Sequence, residues 1–214
     1  MKLRIFAGLL LLPFLFLLPG CNVVPPAQGD FTRFYLLSAP PQPAAAAPAA
    51  PAAPHGLRLG LRSVAVAEYL RSRSMVVRQG ANELSLDEYD RWAEPLDTGI
   101  ARILRTSLVA APNVDRVLAQ PFPLDGDRDF DIAVTVLQCE GVRPESGRVT
   151  SRFSALVEIA SVGPRHKVVA HLNFVAPDSS WNGHDYAQLA GDLSEAVSGL
   201  AREIVAALPA APRE

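Results

Sequence analysis

Apolar and polar residues alternate along three stretches in the second half of the chain. Phe130, Ile132, Val134 and Val136 alternate with Asp131, Ala133 and Thr135. Phe153, Ala155, Val157 and Ile159 alternate with Ser154, Leu156 and Glu158, and Val168–Val175 continues the pattern. A period of two puts successive side chains on opposite faces, so each stretch predicts a strand with one buried face. The links Arg143-Pro144-Glu145-Ser146-Gly147 and Gly163-Pro164 are turn chemistry and predict an antiparallel meander.

Upstream, residues 57–69 read as a strand in which Val64 and Val66 alternate with Ser63, Ala65 and Ala67. Ser74–Gln79 and residues 82–86 flank Gly80-Ala81, a short hairpin. Residues 31–38, rich in aromatic and aliphatic side chains, and residues 113–118 add two more strands. The period then changes. Leu96, Ile100, Ile103, Leu104 and Leu108 share one face at helical spacing, with Pro95 in the first turn, Glu94 and Asp97 complementing the dipole, and Pro112 ending the helix. Trp92 stands just before this helix as a hydrophobic anchor. A second helix covers residues 186–208. Leu189, Leu193, Ala196, Val197, Leu200, Ile204 and Leu208 form its stripe, and Asp192, Glu195, Arg202 and Glu203 face away. From Leu57 onward the order is β-β-β-α-β-β-β-β-α. This predicts an α+β domain, a mostly antiparallel sheet packed by two main helices.

The start of the chain follows neither pattern. Lys2 and Arg4 precede an apolar run, residues 5–18, and small Gly20 precedes Cys21. That is a bacterial export signal with a cysteine directly after the break, the acceptor pattern of a lipoprotein. Cleavage before Cys21 followed by acylation of its sulfur and new amino group would tie the mature chain to a membrane. Each buried acyl methylene contributes ~0.8 kcal/mol, so two or three chains hold stably. The run is too short for a transmembrane helix, which needs ~20 apolar residues, and Pro13 breaks it. Release by ordinary secretion has only a poor cleavage site, ending at Ala27 behind two prolines. Pro19 is unusual two residues before the lipid acceptor.

The chain therefore divides into a signal peptide (1–20), acylated cysteine and tether (21–30), a domain (31–208) and a tail (209–214). Within the domain, residues 39–54 hold six prolines and no charge, an extended insertion that cannot bury a core. Residues 57–208 suffice for one domain burying ~70% of its unfolded surface. Without Lys2 and Arg4 the net charge moves from −2 to −4, with no basic block, which argues against nucleic acid as a partner. Cys139 is the one cysteine left to the body, so no intramolecular disulfide forms.

Candidate chemistry is sparse. His55, His166, His171 and His184 lack metal-ligand spacing to one another or to Cys139. Asp125, Asp127, Asp129 and Asp131 alternate, yet Phe130 and Val136 stand where a calcium loop needs glycine and glutamate. They read as a solvated loop whose acids discourage edge pairing. Cys139, on the Ala133/Leu137 side of its strand, reads as a packed thiol. Catalytic residues, metal sites and cofactors beyond acyl chains on Cys21 are not expected.

The segment from Tyr69-Leu70 to Arg91-Trp92-Ala93-Glu94-Pro95-Leu96 is the most distinctive of the mature chain. Together with Phe34-Tyr35-Leu36-Leu37, residues 64–70 and Met75-Val76-Val77-Arg78, it resembles the auxiliary lipoproteins of ABC-type transport systems, the PqiC-like type. Pro19 and the Ala/Pro insertion depart from that pattern. The resemblance implies a non-enzymatic lipoprotein of the outer membrane, facing the periplasm of a Gram-negative bacterium. It would work with an MCE-domain protein and inner-membrane components in moving lipids between membranes, and would support envelope integrity. Asn22 after the cysteine is compatible with outer-membrane sorting. Tyr69, Leu70, Arg91, Trp92, Glu94, Pro95 and Leu96 would then serve either partner docking or structure, and self-association would be plausible. Two other classes stay open: a lipoprotein that holds a lipid or hydrophobe by itself, and a hydrolase built on Cys139 or a Ser/His pair.

Overall fold

The predicted meander supplies three successive strands of a nine-stranded sheet in this computed structural model, which describes residues 29–39, 56–124, 127–163 and 166–209. The signal, Cys21, most of the tether, the Ala/Pro stretch after Ala39, His55, Asp125, Pro164 and the end of the tail lie outside these. The unit described here is Thr32–Glu214. Its strands are β1 (Arg33–Tyr35), β2 (Leu57–Val66), β3 (Ser74–Gln79), β4 (Glu83–Trp92), β5 (Val114–Ala119), β6 (Phe130–Arg143), β7 (Thr150–Ser161), β8 (Val168–Val175) and β9 (Ser179–Ser180). Its helices are α1 (Leu96–Val109) and α2 (Tyr186–Ala207).

β6, β7 and β8 pair antiparallel, with Ile132 opposite Ile159, Val134 opposite Val157 and Val157 opposite Leu172. Ile132, Val134, Val136, Phe153, Ala155, Val157 and Ile159 are buried, while Thr135, Leu156 and Glu158 are exposed. The alternation therefore chose the faces correctly. The sheet as a whole is mixed. β2 and β3 both run parallel to β6, β5 runs parallel to β2, and β1 runs parallel to β4.

β6 explains this arrangement. β7 lies along almost its whole length, so β2 and β3 share the other edge. β2 accompanies β6 as far as Val66 opposite Val136, and β3 resumes at Val77 opposite Gly141. Between them the chain makes a 3-10 turn, Glu68–Arg71, so the strand expected over 57–69 ends early and Tyr69 and Leu70 lie in that turn. A bulge in β6 between Val136 and Gln138 sits opposite the gap. It reverses the alternation, because an extra residue in one strand shifts every later side chain to the other face. Cys139 is consequently buried while Leu137 is exposed, contrary to the shared side expected for them.

The Gly80 hairpin forms as expected, with Gly80 at φ 60°, a conformation only glycine adopts without cost. β4, however, runs on past Leu86 to Trp92. Its polar residues had concealed it, and Arg91 and Trp92 are therefore strand residues. α1 packs on β2 and β5, α2 packs chiefly on β7, and the helices pack on each other. Ile100, Ile103, Leu104 and Leu108 of α1, and Val197, Leu200 and Ile204 of α2, are wholly buried. Each such side chain contributes about 1.5–3 kcal/mol. Pro95 is the residue before α1, whereas the Asp185 carboxylate caps α2 by accepting from Ala187 N at 3.0 Å and Gln188 N at 3.1 Å. Trp181 lies against Gly141 of the central strand, where a Cβ would come within 2.5 Å of its ring.

Candidate functional site

The residues of the distinctive segment fall into two clusters. The first joins β1, β4 and α1. Trp92 ends β4 opposite Tyr35, is 4% exposed, and donates its backbone N–H to the Arg73 carbonyl at 2.7 Å. Ala93 N–H donates to the Tyr35 carbonyl at 2.8 Å. Glu94 then accepts from Arg102 of α1 at 2.6 Å, and the same Arg102 nitrogen donates to the Leu37 carbonyl at 2.7 Å. Leu37 and Leu96 are buried beside them. The segment thus fastens the strand that follows the tether to the first helix. Glu94 is engaged by Arg102 as well as standing near the helix start.

β1 is held from its other end too. Asp90, 4% exposed, accepts from Arg33 at 3.0 Å and from the Tyr35 hydroxyl at 2.7 Å. Burial, and then the hydrogen bond to Asp90, push the Tyr35 phenol up to about 12. Residues 31–38 therefore contribute a short strand that docks in the sheet.

The second cluster closes the gap between β2 and β3. The Tyr69 hydroxyl donates to the carbonyl of bulged Leu137 at 3.1 Å, and the Arg78 guanidinium lies 5.7 Å from the Tyr69 ring centroid. Arg78 donates to Glu140 at 2.6 Å, and the Glu140 side chain has no exposure. Burial, and then Glu140, hold the Tyr69 phenol well above its usual range. Leu70 is buried in the same turn. Sequence reasoning does not single out Glu140; the available signal is a lone charge in the otherwise uncharged stretch from Leu137 to Val142.

In the stretch from Arg91 to Leu96, Arg91, Ala93 and Pro95 are exposed. Arg91 lies opposite Phe34 and donates from Nε to the Glu88 carbonyl at 2.9 Å.

The three described acids of the run are paired with arginines. Asp129 meets Arg58 at 2.7 Å, Asp127 meets Arg58 at 3.2 Å and Asp131, itself buried, meets Arg128 at 2.8 Å. Arg58 holds the Asp129 carboxyl below its usual range. Since β6 is central in the sheet, these acids do not guard an edge; they tie β2 to the start of β6. Asp192 also departs from expectation. It lies at the wall of a cavity of about 230 Å³ between α2 and β7–β9, with Oδ2 buried and lacking a hydrogen-bond partner. Burial raises its pKa.

Catalytic geometry does not assemble among the described residues. Cys139 is 2% exposed, and burial pushes its thiol far above the usual range. His166, His171 and His184 are exposed. The His171–Glu158 approach is a long 4.0 Å at the surface. No three His, Cys, Asp or Glu side chains among the described residues are placed to share a metal ion, and no described helix is long and apolar enough to cross a membrane.

The model of a family described as "ABC-type transport auxiliary lipoprotein component" matches residues 35–205 of the sequence. No curated protein matches it. Among solved structures, protein XCC0632 from Xanthomonas campestris, of family DUF330, superposes with a TM-score of 0.66 at 17% identity, covering 81% of this chain and 93% of that one. A second crystal structure, of an uncharacterized protein, gives a TM-score of 0.59 at 18% identity, covering 82% of this chain and 97% of that one. At these identities the likeness is one of fold.

Proposed function

Because the chain belongs to the family of ABC-type transport auxiliary lipoprotein components, we propose that it is an accessory subunit of an intermembrane lipid transport system. In this reading it is anchored through acylated Cys21 to the inner surface of the outer membrane. It faces the periplasm, docks onto an MCE-domain partner of the transporter and thereby supports envelope integrity. It acts by binding and positioning, without catalysis of its own.

The observation that carries the proposal is the family match over residues 35–205 in a chain that places Cys21 just ahead of it. The fold adds a geometric consequence. Because β1 is fixed to β4 and α1, the leash is residues 22–32, which reach at most about 40 Å when fully extended. The Ala/Pro stretch lies beyond β1 and does not lengthen it. A body on so short a leash suits a docking role close to one membrane.

A lipoprotein that stores a hydrophobe alone has less support. The cavity between α2 and the sheet, about 230 Å³, is smaller than the ~300–1,000 Å³ usual for small-molecule sites, and the larger hollow of about 650 Å³ beside α1, lined by Leu61, Ala101, Val109 and Ala119, is an open surface groove.

Two measurements test the proposal. Labelled palmitate should enter the wild-type chain and be lost on Cys21→Ser. A deletion strain should become permeable to detergent and dye, and be restored by the wild type but poorly by Cys21→Ser. Full restoration by an unacylated chain would contradict the anchoring role.

A further inference from the structure

We propose that the corner of the sheet formed by β1 and the end of β4 rests on the lipid surface that holds the anchor, with Phe34 and Leu36 entering its interfacial layer. The inference rests on acylation of Cys21.

β1 is an edge strand, paired with β4 on one side. Edge strands are normally guarded by charge or proline. This one carries a single charge, Arg33, which is drawn to Asp90, and with the residue that follows it the strand presents Phe34 at 62% and Leu36 at 47% exposure, while Tyr35 is half-buried and Leu37, just beyond it, is buried. The outward pair is therefore what remains after the strand has already satisfied its core contacts. Across the ladder Phe34 faces Arg91, and Tyr89, 48% exposed, lies two residues from Arg91 along the same strand. Two apolar side chains, an amphipathic aromatic and a guanidinium form the set that membrane–water interfaces favour. Apolar burial that Phe34 and Leu36 forgo in water is regained in part at a bilayer.

The chain's own geometry selects the occupant. β1 starts twelve positions after Cys21. β1 is the first strand after Cys21, and a leash of at most about 40 Å ties it to the surface more closely than any strand further along the chain. The contact is shallow, because the unpaired edge of β1 keeps backbone N–H and C=O groups that need water or headgroups. Val175, equally exposed at 62%, serves as a distant control, since it is on β8, five strand spacings or about 24 Å across the sheet.

The test uses the full-length acylated protein in vesicles of phosphatidylethanolamine with a minority of phosphatidylglycerol, carrying brominated acyl chains. Native Trp92 and Trp181, 4% and 3% exposed, give a shielded baseline. Phe34→Trp should add emission of which about half is quenched by the bromolipid, and Leu36→Trp should behave alike, whereas Val175→Trp should add emission that is not. Equal quenching at 34 and 175, or none at 34 while the protein floats with the vesicles, overturns the inference and leaves the anchor intact. A wild-type protein that does not float with the vesicles overturns the anchor and the inference together.

Discussion

The Arg102 guanidinium donates to the Leu37 carbonyl at 2.7 Å, so a helix side chain completes the hydrogen bonding of the segment leaving β1. Arg102→Ala should leave that carbonyl unpartnered beside the buried Leu37 side chain and cost about 1–2 kcal/mol in urea unfolding. Glu94→Gln should cost less than about 1 kcal/mol, since that pair is partly exposed and screened. Hydrogen exchange at residues 35–38 should accelerate in Arg102→Ala well beyond its global destabilisation. Uniform acceleration across the sheet would show that the tie is not local.

Glu140 and Arg78 make a sharper case. The carboxylate has no exposure, and Arg78 meets it at 2.6 Å. Arg78→Ala should cost about 3–5 kcal/mol, because an unpaired buried charge remains. The double variant Arg78→Met/Glu140→Leu should recover most of that loss. A double variant as unstable as the single would mean that packing, rather than charge, dominates there.

How far the sequence carried these conclusions differs between elements. The stripes of α1 and α2 and the alternation of β6, β7 and β8 were legible, since local period determines which face is buried. The parallel pairing of β2 and β3 with β6 was not, because parallel neighbours are set by contacts distant in sequence. The bulge after Val136 left no local mark, and it turned Cys139 inward. Asp129 and Asp131 looked solvated because their cations, Arg58 and Arg128, could not be paired with them by spacing alone. Trp92 was legible as an anchor, but the extent of β4 before it was not, since that strand is largely polar.

Cys139 should be inert in the native protein. Its thiol is buried and shifted upward, so the reactive thiolate is scarce. Native protein carrying Cys21→Ser should react with a maleimide at least about a hundredfold more slowly than the same protein in urea. Comparable rates would place the thiol at the surface.

Asp192 predicts a pH dependence of stability. Its folded pKa lies above the ordinary 3.8, because burial disfavours the charged form. The folded state then binds a proton more readily than the unfolded one, so this group's contribution to stability falls as pH rises from 3.8 through the folded value. Asp192→Asn should remove that component, and melting curves of variant and wild type should converge toward low pH. A difference that widens on acidification would reverse the assignment.

The account stands or falls on whether this anchored body engages a transporter. The direct measurement is affinity purification of the tagged, acylated chain from detergent-solubilised envelopes after cross-linking, with partners identified by mass spectrometry. The account predicts an MCE-domain protein among them. Recovery of the correctly acylated, folded chain with no MCE-domain protein would contradict it.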